Sequence, residues 1–443
     1  MKTPVTDYLD IVRRDCAEDG GAVADYIPEL ARVDPERFGI ALCTSDGRAY
    51  ESGDTRHAFT IQSVSKPFVY ALALEARGID DVDAHIGVEP SGDPFNVASV
   101  DARTGRPSNP MINIGAITTH SLIGEETHSP DQRFELVRAG LSAFAGRDLE
   151  VDEAVFESEI ATCFRNLALA YLVRSTDNFT IDAAEVVRSY TRQCAVRVTA
   201  RDLAVMAMTL GSGGVNPLTG VRVVSERVAR RTLSVMSTCG MYDESGDWMT
   251  DVGVPAKSGV GGGIIGTVPG QLGVAVFSPR LDGFGNSVRG VRTFRRMSAD
   301  MELHLMQAPP VSAEVVRTDE IVHWFGAEVH LIRLQGALQF ASAERALRSL
   351  MEIEAGTTPV VVDLTRVVSI NGAAREMLAQ AMRDLHAQGH PTTLVDPHGS
   401  VLRPGEDGAI EVVARLPRRG ARGARRNGTR TARHAGAAAE SEE

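Results

Sequence analysis

Lysine is nearly absent from this chain of 443 residues. Of the 46 basic residues, only Lys2, Lys66 and Lys257 are lysines. Arginine supplies a positive charge equally well, but its guanidinium keeps its proton, whereas a lysine amine loses its proton near neutral pH once burial lowers its pKa. The two internal lysines therefore indicate sites that need a removable proton, unless a GC-biased genome left them there by chance.

Long apolar runs are also absent. No run approaches the roughly 18 residues that a membrane-spanning helix needs, and the first residues, Met1–Arg14, contain acidic side chains and no apolar centre of a secretory signal. We therefore expect a cytoplasmic protein without a membrane span.

Cysteine is sparse and unpaired in the sequence. The five cysteines are widely spaced, and none belongs to a Cys-x-x-Cys pair. This pattern argues against a disulfide framework and against a zinc site. We expect buried or incidental thiols, and neither a metal nor an organic cofactor.

Positive charge is scarce outside the last residues. The formal net charge is −12, and the segment from Arg415 onward holds eight arginines against three glutamates. That segment carries +5, so the rest carries −17, which disfavours nucleic-acid binding by the folded part. Because the segment lacks interleaved aromatic residues, we expect a disordered, solubilising tail over residues 405–443 rather than a surface for RNA or phospholipid.

Changes in pattern divide the chain into domains. The stretch Gln307–Ser312 contains Ala-Pro-Pro after a long helical pattern, which predicts a first domain over residues 1–306 and a linker over 307–312. The first domain has strand-like segments near both ends and a helical middle from about Met111 to Met236. We expect its sheet to be split around a helical insertion. Residues 313–404 alternate apolar runs with helical stretches, which predicts a small α/β domain.

The two internal lysines belong to two short motifs. Ser63 and Lys66 form a Ser-x-x-Lys motif where an apolar stretch passes into an amphipathic helical pattern, so both are expected on one helix face, one turn apart. Lys257–Gly259 is a Lys-Ser-Gly motif that ends a strand-like stretch. A serine hydroxyl attacks well only if a neighbour accepts its proton, as a lysine with a lowered pKa does. Each motif is weak alone, but together they are typical of acyl-enzyme hydrolases of the β-lactamase type.

The wider pattern resembles the serine-dependent glutaminase family, whose fold is that of serine β-lactamases and penicillin-binding proteins. The resemblance covers about Val23 to Met306. It rests on segments that occur in the same order as in the family: Ala24–Leu30, Gln62–Pro67, Glu89–Gly92, Asn109–Asn113, Cys239–Asp243 and Pro255–Gly263. The resemblance implies an α+β domain, a sheet flanked by helices, that hydrolyses L-glutamine to L-glutamate and ammonia.

The resemblance also implies roles for single residues. Ser63 is the nucleophile, Lys66 is its general base, and Tyr242 relays a proton to the leaving ammonia and later activates water. The backbone N–H groups of Ser63 and Val260 form the oxyanion hole, supported by Lys257, Ser258 and Gly259. The residues expected to hold the head group of glutamine are Tyr26, Asn113, Glu159, Asn166 and Tyr190. A zwitterionic head group needs an acceptor for its ammonium, which Glu159 provides, and donors for its carboxylate.

Other interpretations of these residues stay open. Asn113 alone is equally compatible with a helix cap, the tyrosines with core positions and Glu159 with a solvated face. Between Glu159 and Asn166 the family has a polar turn ending in Gly-Asp-Arg-Asn, whereas this chain has Ile160–Phe164 and then arginine. The change keeps open the alternative of a catalytically weak glutamine sensor that signals through its C-terminal domain. A serine amidase or esterase fits the lysine motifs but leaves the head-group residues unexplained.

The region from Val315 to Leu402 resembles STAS domains, the module of anti-sigma-factor antagonists and sulphate transporters. In phospho-switched members an Asp-Ser pair begins the helix after the central strand, where this chain has Asn371-Gly372 and leaves only Ser369 nearby. The resemblance implies docking of a protein or sensing of a small-molecule ligand, with dimerisation as an equal alternative. Since related glutaminases are dimers or tetramers, we expect a homo-oligomer.

Overall fold

The computed structural model describes residues 3–18, 20–90, 100–101, 103–307, 315–324, 326–338 and 340–416, without the side chains of 340–345. The chain forms two compact units that divide between Gln307 and Ala308. Three sequence predictions fall partly outside the described residues: the end of the Glu89–Gly92 segment, the linker from residue 308 onward and the tail from residue 417 onward.

Helices hold more residues of the first unit than strands do. They are α1 (Pro4–Asp15), α2 (Pro28–Ala31), α3 (Lys66–Arg77), α4 (Ile79–His85), α5 (Asn113–Ser121), α6 (Pro130–Ala145), α7 (Glu153–Ala161), α8 (Phe164–Arg174), α9 (Ala183–Cys194), α10 (Ala200–Gly211), α11 (Glu226–Cys239), α12 (Ser245–Asp251) and α13 (Val288–Met301). Capping boxes begin α6, at Ser129, and α10, at Thr199. The run from α5 to α11 is the predicted helical middle.

The sheet of the first unit joins the two ends of its sequence. The strands are β1 (Gly39–Thr44), β2 (Ala49–Gly53), β3 (Phe59–Thr60), β4 (Arg197–Val198), β5 (Ala256–Gly259), β6 (Gly263–Val268) and β7 (Leu272–Phe277). Five of them form an antiparallel sheet in the order β2-β1-β7-β6-β5, and β3 pairs with β4. Because β1 pairs with β7, the sheet is split around the helical middle, and this prediction is confirmed.

Both faces of this sheet are covered. Leu42 and Val276 belong to a core that they share with residues of α1 and α13, whereas Ala41 and Phe277 belong to a second core with residues of α3, α10 and α11. Successive strand residues point to opposite faces, so a sheet buried on both sides has strands that are continuously apolar. The edge strand β5 lies beside the short 3₁₀ helix Gln62–Ser65, and this contact positions the site described below.

The second unit is a small α/β fold, as predicted. Its elements are β8 (Val316–Trp324), β9 (Ala327–Leu338), α14 (Phe340–Met351), β10 (Val360–Ile370), α15 (Gly372–Ala387), β11 (Thr392–Val395) and β12 (Ile410–Val413). The sheet order is β12-β11-β10-β9-β8, with parallel pairs except for the β8–β9 hairpin.

One boundary needs correction. The sequence predicted a disordered tail from residue 405, but β12 lies beyond that point and pairs in parallel with β11, Ile410 opposite Thr392. Ile410 is buried in the core of the second unit. A four-residue strand has too few residues to show a pattern within a glycine-rich segment, and its stability comes from the neighbouring strand.

Among the described residues, no helix is long and apolar enough to cross a membrane.

Candidate active site

Ser63 and Lys66 occupy a constrained turn at the start of α3. Ser63 lies in the 3₁₀ helix Gln62–Ser65, and Lys66 begins α3 directly after it. Gln62 has a φ of +48°, in the left-handed region that residues other than glycine rarely adopt. Such strained backbone conformations cluster at functional sites. Lys66 is 1 % exposed, and burial lowers the pKa of its amine to about 8. This amine therefore loses its proton close to neutral pH.

Asn113 joins Lys66 to the helical middle. The Lys66 Nζ donates to Asn113 Oδ1 at 2.6 Å, and Asn113 Nδ2 donates to Asn166 Oδ1 at 3.4 Å. Asn113 is the first residue of α5, whose N-cap is Ile112, and that cap has no side-chain hydrogen bond. The side chain of Asn113 thus faces the site instead of capping the helix.

Tyr242 lies in contact with Ser63. It begins the 3₁₀ helix Tyr242–Glu244 with a φ of +54°, and its hydroxyl donates to the Ser258 carbonyl at 3.1 Å. Burial raises the pKa of Tyr242 to about 12, while a hydrogen bond with the Ser63 hydroxyl acts in the opposite direction. Tyr242 is therefore protonated at neutral pH and in contact with Ser63.

Lys257 fixes the position of Tyr242. Its Nζ lies 4.1 Å from the centroid of the Tyr242 ring and donates to the carbonyls of Ser258, at 2.6 Å, and Gly240, at 3.0 Å. Burial, and then the charge of Lys66, hold the pKa of Lys257 well below its ordinary value. Both internal lysines thus lie in one buried cluster.

Gly259 allows β5 to lie against the Ser63 turn. A Cβ added to Gly259 would lie 3.0 Å from Val64 Cγ2 and 3.2 Å from the Val64 backbone nitrogen. Val260 follows in the chain, and Gly285 lies near both Val260 and Tyr242, since a Cβ on Gly285 would lie 3.9 Å from Val260 Cγ1 and 3.7 Å from Tyr242 Cε2. The Lys-Ser-Gly motif therefore meets the Ser-x-x-Lys motif through its backbone.

Glu159 provides an acceptor in the same region. Tyr26 donates its hydroxyl to Glu159 Oε1 at 2.8 Å, and Gln62 Nε2 donates to the same oxygen at 3.2 Å. Burial raises the pKa of the Glu159 carboxyl, and these hydrogen bonds partly oppose that effect. Glu159 therefore lies within the site and not on a solvated helix face, although the ring of Tyr26 is 50 % exposed.

Two residues of the cluster were missed from the sequence. No role is assigned to Gln62 from the sequence, although a polar residue directly after the largely apolar stretch 58–61 is a signal. Cys194 is a buried thiol, as expected, but it also hydrogen-bonds to the buried Tyr190 and lies near enough to Glu159 and Lys66 for their charges to affect its pKa. The signal for Cys194 was its spacing, because residues four apart on a helix share a face.

The unusual turn before Asn166 does not separate Glu159 and Asn166 from the site. Helix α7 ends at Ala161, and α8 begins at Phe164, which is 76 % exposed. Glu159 and Asn166 still make the contacts described above, with Gln62 and with Asn113. All the side chains proposed from the sequence are thus brought into one region, whereas their roles stay predictions.

Comparison with known proteins identifies the family of this chain. The glutaminase family model matches residues 21–306, and the STAS domain model matches residues 320–411. The chain belongs to the glutaminase family. Members of this family are amidohydrolases, and the chain accordingly hydrolyses L-glutamine to L-glutamate and ammonia. Both resemblances inferred from the sequence are confirmed.

Relatives of this glutaminase differ in how much of the chain they match. Glutaminases of Corynebacterium efficiens and Corynebacterium glutamicum are 45 % and 46 % identical to it over 90 % of the chain, and the matches cover 93 % and 95 % of those proteins. The crystal structure of Mglu in its glutamate form has a TM-score of 0.81 at 41 % identity, covering 90 % of this chain and 99 % of Mglu. The probable glutaminase ybaS has a TM-score of 0.66 at 38 % identity, covering 69 % of this chain and 98 % of its own.

Proposed function

We propose that this glutaminase hydrolyses glutamine through an acyl-enzyme on Ser63. The observations that carry the proposal are that Ser63 lies in the same turn as Lys66, a buried amine with a pKa of about 8, and that its hydroxyl is hydrogen-bonded to the protonated phenol of Tyr242. Lys66 accepts the proton of Ser63 as its oxygen attacks the side-chain carbonyl of glutamine. Tyr242 then hands a proton to the departing ammonia, and a water molecule releases glutamate by the reverse transfers.

The oxyanion hole of this mechanism consists of two backbone donors. The N–H groups of Ser63 and Val260 stand on the two segments that Gly259 brings into contact. Fixed donors directed at the carbonyl oxygen stabilise the charge that develops there, and each is worth about 10²-fold or more in rate. Lys257 and Ser258 serve this arrangement indirectly, because Ser258 offers one carbonyl to both Lys257 and Tyr242.

The head group of glutamine is proposed to bind between α7, α8 and α9. The carboxylate of Glu159 accepts from its ammonium, while Asn113, Asn166 and the hydroxyls of Tyr26 and Tyr190 stand near its carboxylate and ammonium. Two neutral donors hold the Glu159 carboxylate in place, so a ligand ammonium adds the missing positive charge. A site of buried polar groups rejects ligands that leave those groups unpaired.

Glu159→Gln is expected to raise KM for glutamine by about 10- to 100-fold, with a smaller effect on kcat. The amide oxygen can still accept from Tyr26 and Gln62, so the fold is kept, but the variant loses a charge-assisted hydrogen bond worth about 1.5–3 kcal/mol. Steady-state kinetics with glutamine and with glutaramic acid, which lacks the α-amine, measure the effect. Only glutamine should lose affinity.

Glu157→Gln is the matched control for that experiment. Glu157 lies on the same helix and is exposed, so its replacement should leave KM unchanged. Equal losses for both substrates in Glu159→Gln would contradict a role in binding the ammonium.

The substrate range separates the proposal from its alternatives. Ammonia release from glutamine, asparagine and a simple amide should be fast for glutamine alone. Tight glutamine binding without turnover, detected as a raised melting temperature, would instead favour the glutamine sensor. Release from amides without an α-amino group would favour a general serine amidase. The intact contacts of Glu159 and Asn166 argue for the enzyme.

We propose a cytoplasmic homo-oligomer, a dimer or tetramer, with a glutaminase domain over residues 1–306 and a STAS domain that begins near residue 313. In the STAS domain, Asn371 caps α15 by accepting from the Ala374 N–H, so this position offers no hydroxyl for phosphate. The hydroxyl considered for phosphate is then that of Ser369, which is exposed on β10. Docking of a protein or of a small molecule therefore suits this domain better than a phospho-switch.

A further inference from the structure

A chain of buried hydrogen bonds runs from α5 to the turn that carries Ser63. His120 Nδ1 lies 2.7 Å from Gln193 Oε1, and Gln193 Nε2 lies 2.8 Å from Ser65 Oγ. The Ser65 hydroxyl donates to the Gln62 carbonyl at 2.8 Å, and Ser189 Oγ lies 2.7 Å from the other ring nitrogen of His120. The side chains of His120, Gln193 and Ser65 are at most 1 % exposed.

The direction of every bond in this chain is fixed. Burial lowers the pKa of His120 to about 4, so the ring is neutral and carries a single N–H at neutral pH. Because the Gln193 oxygen faces Nδ1, that nitrogen carries the hydrogen, and the Ser189 hydroxyl donates to Nε2. The Gln193 amide then donates to Ser65, whose own hydrogen points at the Gln62 carbonyl. Only one arrangement satisfies all of these groups.

The last of these hydrogen bonds holds the peptide unit between Gln62 and Ser63. The carbonyl of Gln62 and the N–H of Ser63 belong to one planar peptide unit, so fixing the carbonyl also fixes the direction of the N–H. Gln62 is in the strained left-handed conformation, with a φ of +48°. Such a conformation persists only where surrounding contacts hold it.

We propose that His120 and Gln193 are positioning residues for glutamine hydrolysis, which act through Ser65 on the Gln62–Ser63 peptide and aim the Ser63 N–H at the substrate oxyanion. The assignment rests on the proposed mechanism, in which Ser63 is the nucleophile and an oxyanion donor. Neither His120 nor Gln193 needs to touch the substrate for this role, and neither takes part in proton transfer.

The decisive variants are Gln193→Glu and Ser65→Ala. In Gln193→Glu an acceptor replaces the amide that faces Ser65, so the Ser65 hydroxyl turns from the Gln62 carbonyl to the new carboxylate. Ser65→Ala removes the last bond directly. Both are expected to lower kcat by about 10- to 100-fold, the effect of misaiming one oxyanion donor, and to change KM by less than about threefold.

Ser189→Ala is the matched control. It also removes a buried hydrogen bond of His120, but Ser189 lies off the path to Gln62, so kcat should stay within about twofold of the parent.

A second comparison uses His120 itself. His120→Asn keeps a donor near Nδ1, whereas His120→Gln places its amide near Nε2, so the asparagine variant should retain more kcat although both lose the ring.

The assays include melting temperatures and Ser63→Ala in parallel. Folded Gln193→Glu or Ser65→Ala with parental kcat, beside an inactive Ser63→Ala, would overturn the positioning role alone. An active Ser63→Ala would overturn the mechanism on which that role depends. If Gln193→Glu does not fold, Ser65→Ala decides the question, since it removes only one hydroxyl. A loss in Ser189→Ala as large as in Ser65→Ala would also count against the proposal.

Discussion

Ser63→Ala is expected to lower kcat for glutamine by about 10⁴-fold or more. The variant lacks the oxygen proposed to form the acyl-enzyme, and removing a catalytic serine leaves only the modest acceleration that binding and the oxyanion hole provide. Ammonia release from glutamine by the full-length protein measures the loss. The side chain of Ser63 is small and partly exposed, so the fold should be kept.

Two controls separate lost chemistry from lost structure. Glutamine should still raise the melting temperature of Ser63→Ala, because Glu159 and the other head-group residues remain. Ser237→Ala, on α11, removes a hydroxyl that donates to the Leu233 carbonyl of the same helix, and should keep parental activity. Ammonia release by Ser63→Ala within about tenfold of the parent would rule out a serine acyl-enzyme.

The second large effect concerns Lys66 and pH. A general base must be neutral, and the pKa of Lys66 is about 8, so kcat/KM should rise about tenfold per pH unit below pH 8 and level off above it. Lys66→Arg keeps a charge but cannot release a proton. We expect this variant to lose about 10³-fold in kcat/KM and also to lose this rise with pH.

Stability gives an independent test of the same residue. The folded-state pKa of Lys66, about 8, lies below its ordinary value of 10.5, so burial of the charged amine destabilises the folded protein below pH 8. A pKa lowered from 10.5 to about 8 corresponds to a cost of about 3 kcal/mol, which declines as the pH rises from 8 to 10.5 and is absent at higher pH. Lys66→Met should therefore be inactive yet melt no lower than the parent at pH 7. A melting temperature several degrees lower would show that the amine stabilises the fold.

The site could be predicted from the sequence where local spacing fixes geometry. Ser63 and Lys66 are three residues apart, so a single turn of chain brings them together whatever the rest of the fold does. Gln62 and Cys194 were missed because their importance depends on contacts from other elements. Gln62 hydrogen-bonds to Glu159 across 97 residues, and the pKa of the Cys194 thiol on α9 is affected by the charges of Glu159 and Lys66. The unusual turn at Ile160–Phe164 raised the alternative of a displaced Glu159 and Asn166. The two side chains nevertheless make their contacts from α7 and α8.

The sequence by itself was enough to predict the family of this protein and the order of its elements. Two internal lysines, a Ser-x-x-Lys motif and split strand segments predict an acyl-enzyme hydrolase whose sheet closes around helices, because such patterns depend on residue type and short spacing. Only the tertiary structure decided the pKa of Lys66, the left-handed Gln62 and the buried path from His120 to the Ser63 turn. Burial and long-range hydrogen bonds create these properties, and they arise only when β5, α5 and α9 pack around the start of α3.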